Sequence, residues 1–259
     1  MLVGCAARID EYNLVSKSGF DYIELAGKAV AILNDDDFEK LRITVRDGLL
    51  PCLALNAYCG PDIVIAGPGF SLSKAREYAS WLAQRADKLG VRVVNIGSPK
   101  SRILPEGYDR RLAAEQLRQF FSATADEFAR YGITVTVEAL GYCFCNFINS
   151  LDEALSVVKD VDMSNLKLVI DYYNMRQSNE ENKDITPFLP YLAHVHTSDD
   201  AGSPQLRSFF NKDRFSAHER LLANLKQCGY DGTITIEVDV PFDTDEAVSS
   251  LELIKRAWH

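Results

Sequence analysis

The sequence predicts an α/β fold, a single (β/α)8 barrel occupying 1–259. Three observations predict it. Strand-like and helix-like stretches alternate eight times with no break in composition. The length of 259 residues matches the roughly 250 that one such barrel needs. Two strands share one design, Thr134-Val-Thr-Val-Glu138 and Thr233-Ile-Thr-Ile-Glu237. Alternation along a strand puts Thr134, Thr136 and Glu138 on one side and Ile133, Val135 and Val137 on the other. A polar face on a strand buried on both sides fits the inner wall of a closed barrel, with the last glutamate reaching the rim. An open doubly wound sheet is the runner-up, and no Gly-x-Gly-x-x-Gly follows the first strand to support it.

The elements follow in order. Leu2–Ala6 reads as the first strand and Asp10–Lys17 as a helix closed by Gly19. Phe20–Leu25 is the second strand. Asn34 caps a helix whose Phe38, Leu41 and Val45 recur at helical spacing before Gly48. Leu50–Ala57 is the third strand, and Gly60–Gly69, with Pro61 and Pro68, is a long loop. Ala75, Ala79, Leu82, Ala86 and Leu89 make an apolar stripe stopped by Gly90, and Val91–Gly97 is the fourth strand. A helix over 110–131 leads into the fifth strand, which ends at Glu138. Ser150-Leu-Asp-Glu153 is a capping box opening the next helix. Leu166–Asp171 is the sixth strand, with a weakly signalled helix somewhere in 175–189. Leu192–Thr197 is the seventh. Ser216-Ala-His-Glu219 reads as a second capping box, Thr233–Val238 as the eighth strand, and Asp243 as the cap of a final helix carrying Leu251 and Ile254.

Composition removes several function classes. A net charge of −9 and a pI near 5.0 leave no basic face for nucleic acid. No run reaches the roughly 18 apolar residues of a membrane span, and the first residues carry no signal-peptide pattern. Six cysteines without a Cys-x-x-Cys pair read as reduced, mostly buried thiols, so a cytoplasmic location is expected. Cys143 and Cys145 bracket the loop after the Glu138 strand. A homo-oligomer is compatible with the chain.

In such a barrel the site lies at the C-terminal strand ends. Those ends carry Glu24, Asn56, Asn95, Glu138, Asp171, His196 and Glu237. Four of these come from neighbouring strands, five to eight. Three carboxylates and one imidazole suit one divalent metal ion: Mn2+ first, Mg2+ or Co2+ equally by donor type, Zn2+ less well because it prefers nitrogen and sulfur. In Ala193-His-Val-His-Thr197 the two histidines share a face; His196, nearer the rim, is assigned to the metal and His194 to a buried hydrogen-bonded role. Each residue also has a plain structural reading, since a strand-end acid such as Asp171 often only caps the next helix.

The pieces Val137-Glu138, Val169-Ile-Asp171, His194-Val-His-Thr-Ser-Asp199 and Gly229-Tyr-Asp-Gly-Thr-Ile-Thr-Ile-Glu237 resemble the xylose isomerase-like barrel superfamily. The resemblance is to its sugar phosphate isomerase/epimerase branch, which includes the ketose 3-epimerases. Gly19-Phe-Asp-Tyr-Ile-Glu-Leu25 and Asn95-Ile-Gly-Ser98 are similar to its second and fourth strands. The resemblance implies that Glu138, Asp171, His196 and Glu237 ligate the metal and that Glu138 and Glu237 double as the catalytic acid/base pair. The implied activity is a metal-dependent isomerase or epimerase acting on a sugar or sugar phosphate through a cis-enediolate. Two departures bear on substrate. Where the epimerases carry Asp-x-x-His, this chain has Asp171-Tyr-Tyr-Asn174, and the first arginine after the seventh strand is Arg207.

Asn174, Asn56, Glu24, Arg102 and Arg207 are the expected substrate contacts, and Pro99-Lys-Ser-Arg102 reads either as an anion site through Lys100 and Arg102 or as a solvated surface loop. Tyr58, Tyr142, Phe144, Tyr172 and Tyr173 are candidates for the pocket wall, and His218 is read as solvating the first turn of its helix. An inosose-type dehydratase and a catalytically inactive sugar-binding barrel remain as alternatives. A DNA-repair endonuclease is disfavoured, because Asn56 and Asn95 stand where that branch has extra histidines.

Overall fold

The structure is a computed structural model that describes residues 1–259. Eight parallel strands close into a barrel: β1 (Leu2–Ala6), β2 (Tyr22–Ala26), β3 (Cys52–Asn56), β4 (Val93–Ile96), β5 (Thr134–Glu138), β6 (Leu166–Asp171), β7 (Leu192–Thr197) and β10 (Thr233–Glu237). Each pairs with its sequence neighbour, and β10 closes the ring against β1 in the register Leu2↔Thr233 to Ala6↔Glu237. A two-stranded antiparallel hairpin, β8 (Asp199–Ser203) and β9 (Leu206–Ser208), stands outside the ring directly after β7.

The crossovers are α1 (Tyr12–Lys17), α2 (Gly27–Ile32) with α3 (Asp35–Asp47), α4 (Leu72–Leu89), α5 (Arg110–Ala129), α6 (Leu151–Val161), α7 (Tyr172–Gln177) and α8 (Ser216–Gln227), with α9 (Thr244–Trp258) completing the ring. Their caps follow the sequence in most cases. The Asn34 side chain accepts from the Asp37 N–H, Ser150 and Glu153 form a reciprocal capping box, and Asp243 accepts from two N–H groups of α9. Gly90 ends α4 at φ 78°, in the left-handed region where glycine carries no Cβ penalty.

Three local expectations are corrected. The segment after β6 holds a six-residue helix that begins at Tyr172, because Asp171 caps it, and a 3-10 turn over Thr186–Tyr191. Pro187 and Pro190 lack the N–H groups that a longer α-helix over 175–189 would require. The Ser216 capping box does not form. Phe215 occupies the cap position with no side-chain bond, since Lys212–Arg214, capped by Asn211, has already turned the chain. Third, His218 is buried, not solvated: Nδ1 lies 2.8 Å from Thr197 Oγ1 and Nε2 3.3 Å from Asp199 Oδ1.

The layers divide by chemistry. Val135 and Val137 of β5 belong to the apolar shell that also holds Phe120, Phe121 and Phe128 of α5. The barrel interior is instead polar. Thr136 donates to Asn95 Oδ1 at 2.6 Å, and Thr235 lies 3.1 Å from His194 and 2.7 Å from the Tyr22 hydroxyl. The threonine faces of β5 and β10 thus point inward. At the lower end of the barrel the Tyr22 ring lies over Gly4, where any Cβ would overlap its carbons.

Gly→Ala substitution in a strand normally stabilises by about 0.4–1 kcal/mol through the unfolded chain. Here overpacking against the Tyr22 ring costs about 1–3 kcal/mol, which outweighs that gain. Gly4→Ala is expected to lower the thermal midpoint by several degrees in a circular-dichroism melt; an unchanged or raised midpoint contradicts this packing.

Candidate metal centre at the barrel mouth

Glu138, Asp171, His196 and Glu237 converge at the C-terminal ends of β5, β6, β7 and β10. One donor atom from each lies within 4.8 Å of the others. Glu138, Asp171 and His196 are buried, whereas the Glu237 side chain is 18% exposed, so the cluster opens to solvent on the Glu237 side. There a cavity of about 380 Å3 is walled by Ala6, Ala7, Ile9, Ala26 and Val238, with Asn56 and Glu237 at its floor. Arg8 and Lys28 also line it, and both are surface-exposed. A wider groove of about 730 Å3, between the hairpin and α9, contains none of the candidate residues. Glu237 links the smaller cavity to the cluster.

Each acid is held by a specific neighbour. The Asn174 amide donates to Glu138 Oε1 at 2.7 Å and to Asp171 Oδ2 at 2.8 Å, locking two carboxylates together. Asp171 Oδ1 accepts from the Tyr173 N–H at 2.8 Å, so capping and clustering use different oxygens of one residue. Asn56 donates to Glu237 Oε1 at 2.9 Å. Gly97 leaves room for Glu138, because a Cβ there would overlap Oε2. Arg207, carried on β9, reaches into the cluster. Its Nη2 lies 2.7 Å from Asp171 and 3.9 Å from Glu138, and its Nη1 contacts Glu237. The guanidinium stacks near Tyr173 at 5.2 Å and Phe144 at 5.8 Å.

The electrostatics follow from crowding. Burial, then the adjacent Asp171 carboxylate, push Glu138 up to about 7. Burial opposes protonation of His196, but Glu24, Glu138 and Asp171 surround it and hold it above the ordinary imidazole value. His196 Nδ1 is buried without a hydrogen-bond partner, 3.2 Å from Glu237 Oε2, the oxygen that Arg207 Nη1 also contacts. An unpartnered imidazole nitrogen beside three carboxylates fits a divalent cation with an oxygen-rich shell.

The remaining expected contacts divide. Asn56 and Arg207 stand at the cluster as expected. Asn174 is 2% exposed, and its oxygen also accepts from the Gly141 N–H at 3.1 Å, so it braces ligands from behind. Glu24 is corrected: it is fully buried beneath His196, with both oxygens taken by side chains of the barrel interior, and does not meet a substrate. Arg102 is corrected too. Fully buried, it donates through Nη2 to the Glu138 carbonyl at 2.7 Å and supports the end of β5 from within. Lys100 points to solvent alone.

Of the aromatic candidates, Tyr173 and Phe144 flank Arg207. Tyr58 and Tyr172 are core residues, and Tyr142 is 64% exposed. Cys145 is buried and Cys143 bonds the Pro204 carbonyl.

Sequence reasoning missed the hairpin that delivers Arg207, whose Asp199-Asp-Ala-Gly-Ser-Pro composition reads as a loop. It also missed the brace beneath that hairpin. Asp199 is fully buried, bonded to the Asn211 N–H at 2.8 Å and paired with Arg176 at 3.1 Å and His218. Burial works against its ionisation, yet His218 and the Asn211 N–H hold its carboxyl down at about 2. The signal for this brace was a buried-type histidine, His218, opposite an acid nineteen positions earlier.

Known proteins share this arrangement of elements. The chain is 25% identical to D-psicose 3-epimerase of Agrobacterium fabrum over 237 residues, covering 86% of this chain and 76% of that protein. It superposes with a TM-score of 0.81 on D-allulose 3-epimerase from Methylomonas sp. in complex with D-allulose, at 19% identity over 99% and 97% of the two chains. It also superposes with a TM-score of 0.75 on the IOLI protein with a bound zinc atom, at 17% identity over 100% and 98% of the two chains. Residues 12–257, from α1 to within α9, match one family throughout, and the chain belongs to the xylose isomerase-like TIM barrel family.

Proposed function

We propose that this protein is a divalent-metal-dependent ketose 3-epimerase, with Glu138, Asp171, His196 and Glu237 as ligands and Mn2+ as the ion best suited to three carboxylates and one imidazole. The observation that carries this reading is the convergence of the four donors at neighbouring strand ends, with His196 Nδ1 buried without a partner and Glu237 lining a cavity open to solvent. The likeness to the D-psicose 3-epimerase of Agrobacterium fabrum supports the ketose as substrate.

When bound, the ion supplies Lewis-acid polarisation of a ketose carbonyl and charge to balance an enediolate. The chain supplies the rest. Glu138 and Glu237 come from strands separated around the ring by β6 and β7, so they approach from two sides. One removes the proton on C3 and the other returns a proton to the opposite face, which inverts that carbon. Asn56 steadies Glu237, Asn174 steadies Glu138, and Arg207 brings a cation to where oxygen charge develops.

Two predictions test this. In D2O with added Mn2+, protein incubated with D-psicose, D-fructose and D-tagatose is expected to place deuterium at C3 and to form the 3-epimer, read by NMR. Glu237→Gln should slow the exchange by about 100-fold or more while the fold persists. No C3 exchange in any ketose by the Mn2+-loaded wild type would refute the proposal.

The second concerns pH. Without metal, the folded Glu138 carboxyl titrates near 7 and the unfolded one near 4.5. Below 4.5 both forms are protonated; between 4.5 and 7 the unfolded chain ionises first, so metal-free stability falls as pH rises through that window. Binding has the opposite sense, since a ligand must shed its proton. Mn2+ affinity is expected to rise from pH 5.5 to 8 with proton release, seen by calorimetry in buffers of different ionisation enthalpy. A pH-independent affinity contradicts the assignment of Glu138.

A further inference from the structure

Beneath the rim, in the closed interior of the barrel, two histidines share one carboxylate. Glu24 Oε1 lies 3.0 Å from His196 Nε2 and 2.8 Å from Asn95 Nδ2, and Oε2 lies 3.1 Å from His194 Nε2. Glu24, Asn95, His194 and His196 are all 0% exposed. No side chain in this group touches the open cavity.

Hydrogen-bond accounting favours one arrangement, in which the bonds to Glu24 outweigh the longer 3.4 Å approach of Asn95 Nδ2 to His196 Nε2, and Thr235 Oγ1, 3.1 Å from His194 Nε2, accepts beside Glu24. The Thr136 hydroxyl bonds Asn95 Oδ1 at 2.6 Å, which fixes that amide so that its NH2 faces Glu24. A carboxylate only accepts. Both Nε2 atoms facing Glu24 must therefore carry hydrogen. His194 is then left with a lone pair on Nδ1, and the Thr233 hydroxyl, 2.6 Å away, donates to it. In the neutral form that a metal ligand takes, His196 is left with a lone pair on Nδ1, the atom without a hydrogen-bond partner that faces Glu237.

We infer that Glu24 is a positioning residue that fixes His196 as the Nε2–H tautomer and so presents Nδ1 to the divalent ion, with His194 and Asn95 fixing Glu24 in turn. This rests on the proposed function for the presence of an ion, but the tautomer is set by the chain alone. The carboxylate also raises the basicity of the coordinating nitrogen, and loss of such partners typically weakens metal binding 10–100-fold. The sequence marks the element plainly: Glu24 closes Gly19-Phe-Asp-Tyr-Ile-Glu, and His194 and His196 lie one layer apart on β7.

The direct test is 15N NMR of histidine side chains in the wild-type protein loaded with diamagnetic Mg2+, with His196→Asn used to assign the signal. The proton is expected on Nε2 of His196 and absent from Nδ1; a proton on Nδ1 overturns the inference. A second test uses two variants. In Glu24→Gln the amide oxygen can still serve His196 and Asn95 while its NH2 turns to His194. His194 is therefore expected to exchange tautomers and His196 to keep its own. Glu24→Leu removes both acceptors, and its Mn2+ dissociation constant by calorimetry is expected to rise 10–100-fold. Wild-type Mn2+ affinity in Glu24→Leu overturns the inference. If the wild type binds Mn2+ with His196 in the stated tautomer but never exchanges a ketose C3 proton, the functional proposal fails while this inference stands.

Discussion

Three carboxylates within 4.8 Å of one another and of an imidazole, in a largely buried mouth, impose the constraint that organises this molecule. Like charges so placed repel strongly in a medium of low polarisability, and burial disfavours each of them separately. The chain answers by surrounding them with donors: Asn174 between Glu138 and Asp171, Asn56 on Glu237, Arg207 across the top. Each donor sits on a different element, so the cluster exists only when the ring is closed. A divalent ion held there would complete the same balance of charge, with a donor set of three oxygens and one nitrogen.

The polar interior is the second consequence. A barrel filled only by branched apolar side chains would be simpler to pack. This one carries threonines, two histidines, an asparagine and a glutamate through its interior, all hydrogen-bonded to one another. A carboxylate placed there tolerates burial only because three donors meet it: burial acts to raise the Glu24 carboxyl, yet the two imidazoles hold it well below its usual range. The Asp199 node plays a related part outside the ring, tying α7, α8 and the hairpin together behind Arg207.

Much of this was legible in the sequence because strand alternation carries it. Two Thr-x-Thr-x-Glu strands and a His-x-His strand announce inward polar faces, and the four rim residues follow from reading strand ends around a ring. What sequence could not supply was depth. Glu24 and Glu138 both lie near strand ends, yet one lies beneath the cluster and the other within it. Arg102 read as an anion holder beside Lys100; after the left-handed turn at Ser98, φ 45°, it is buried instead. The hairpin at 199–208 was illegible for a third reason. Its strands are short and polar, and they are held by Asp199 contacts distant in sequence.

The central claim, that these four side chains hold one divalent ion at the mouth of the barrel, is tested most directly by anomalous diffraction from crystals grown with Mn2+. The account predicts a single strong peak bonded at about 2.0–2.3 Å to one oxygen each of Glu138, Asp171 and Glu237 and to Nδ1 of His196. A peak bound elsewhere, or no peak among these residues at saturating Mn2+, would contradict it.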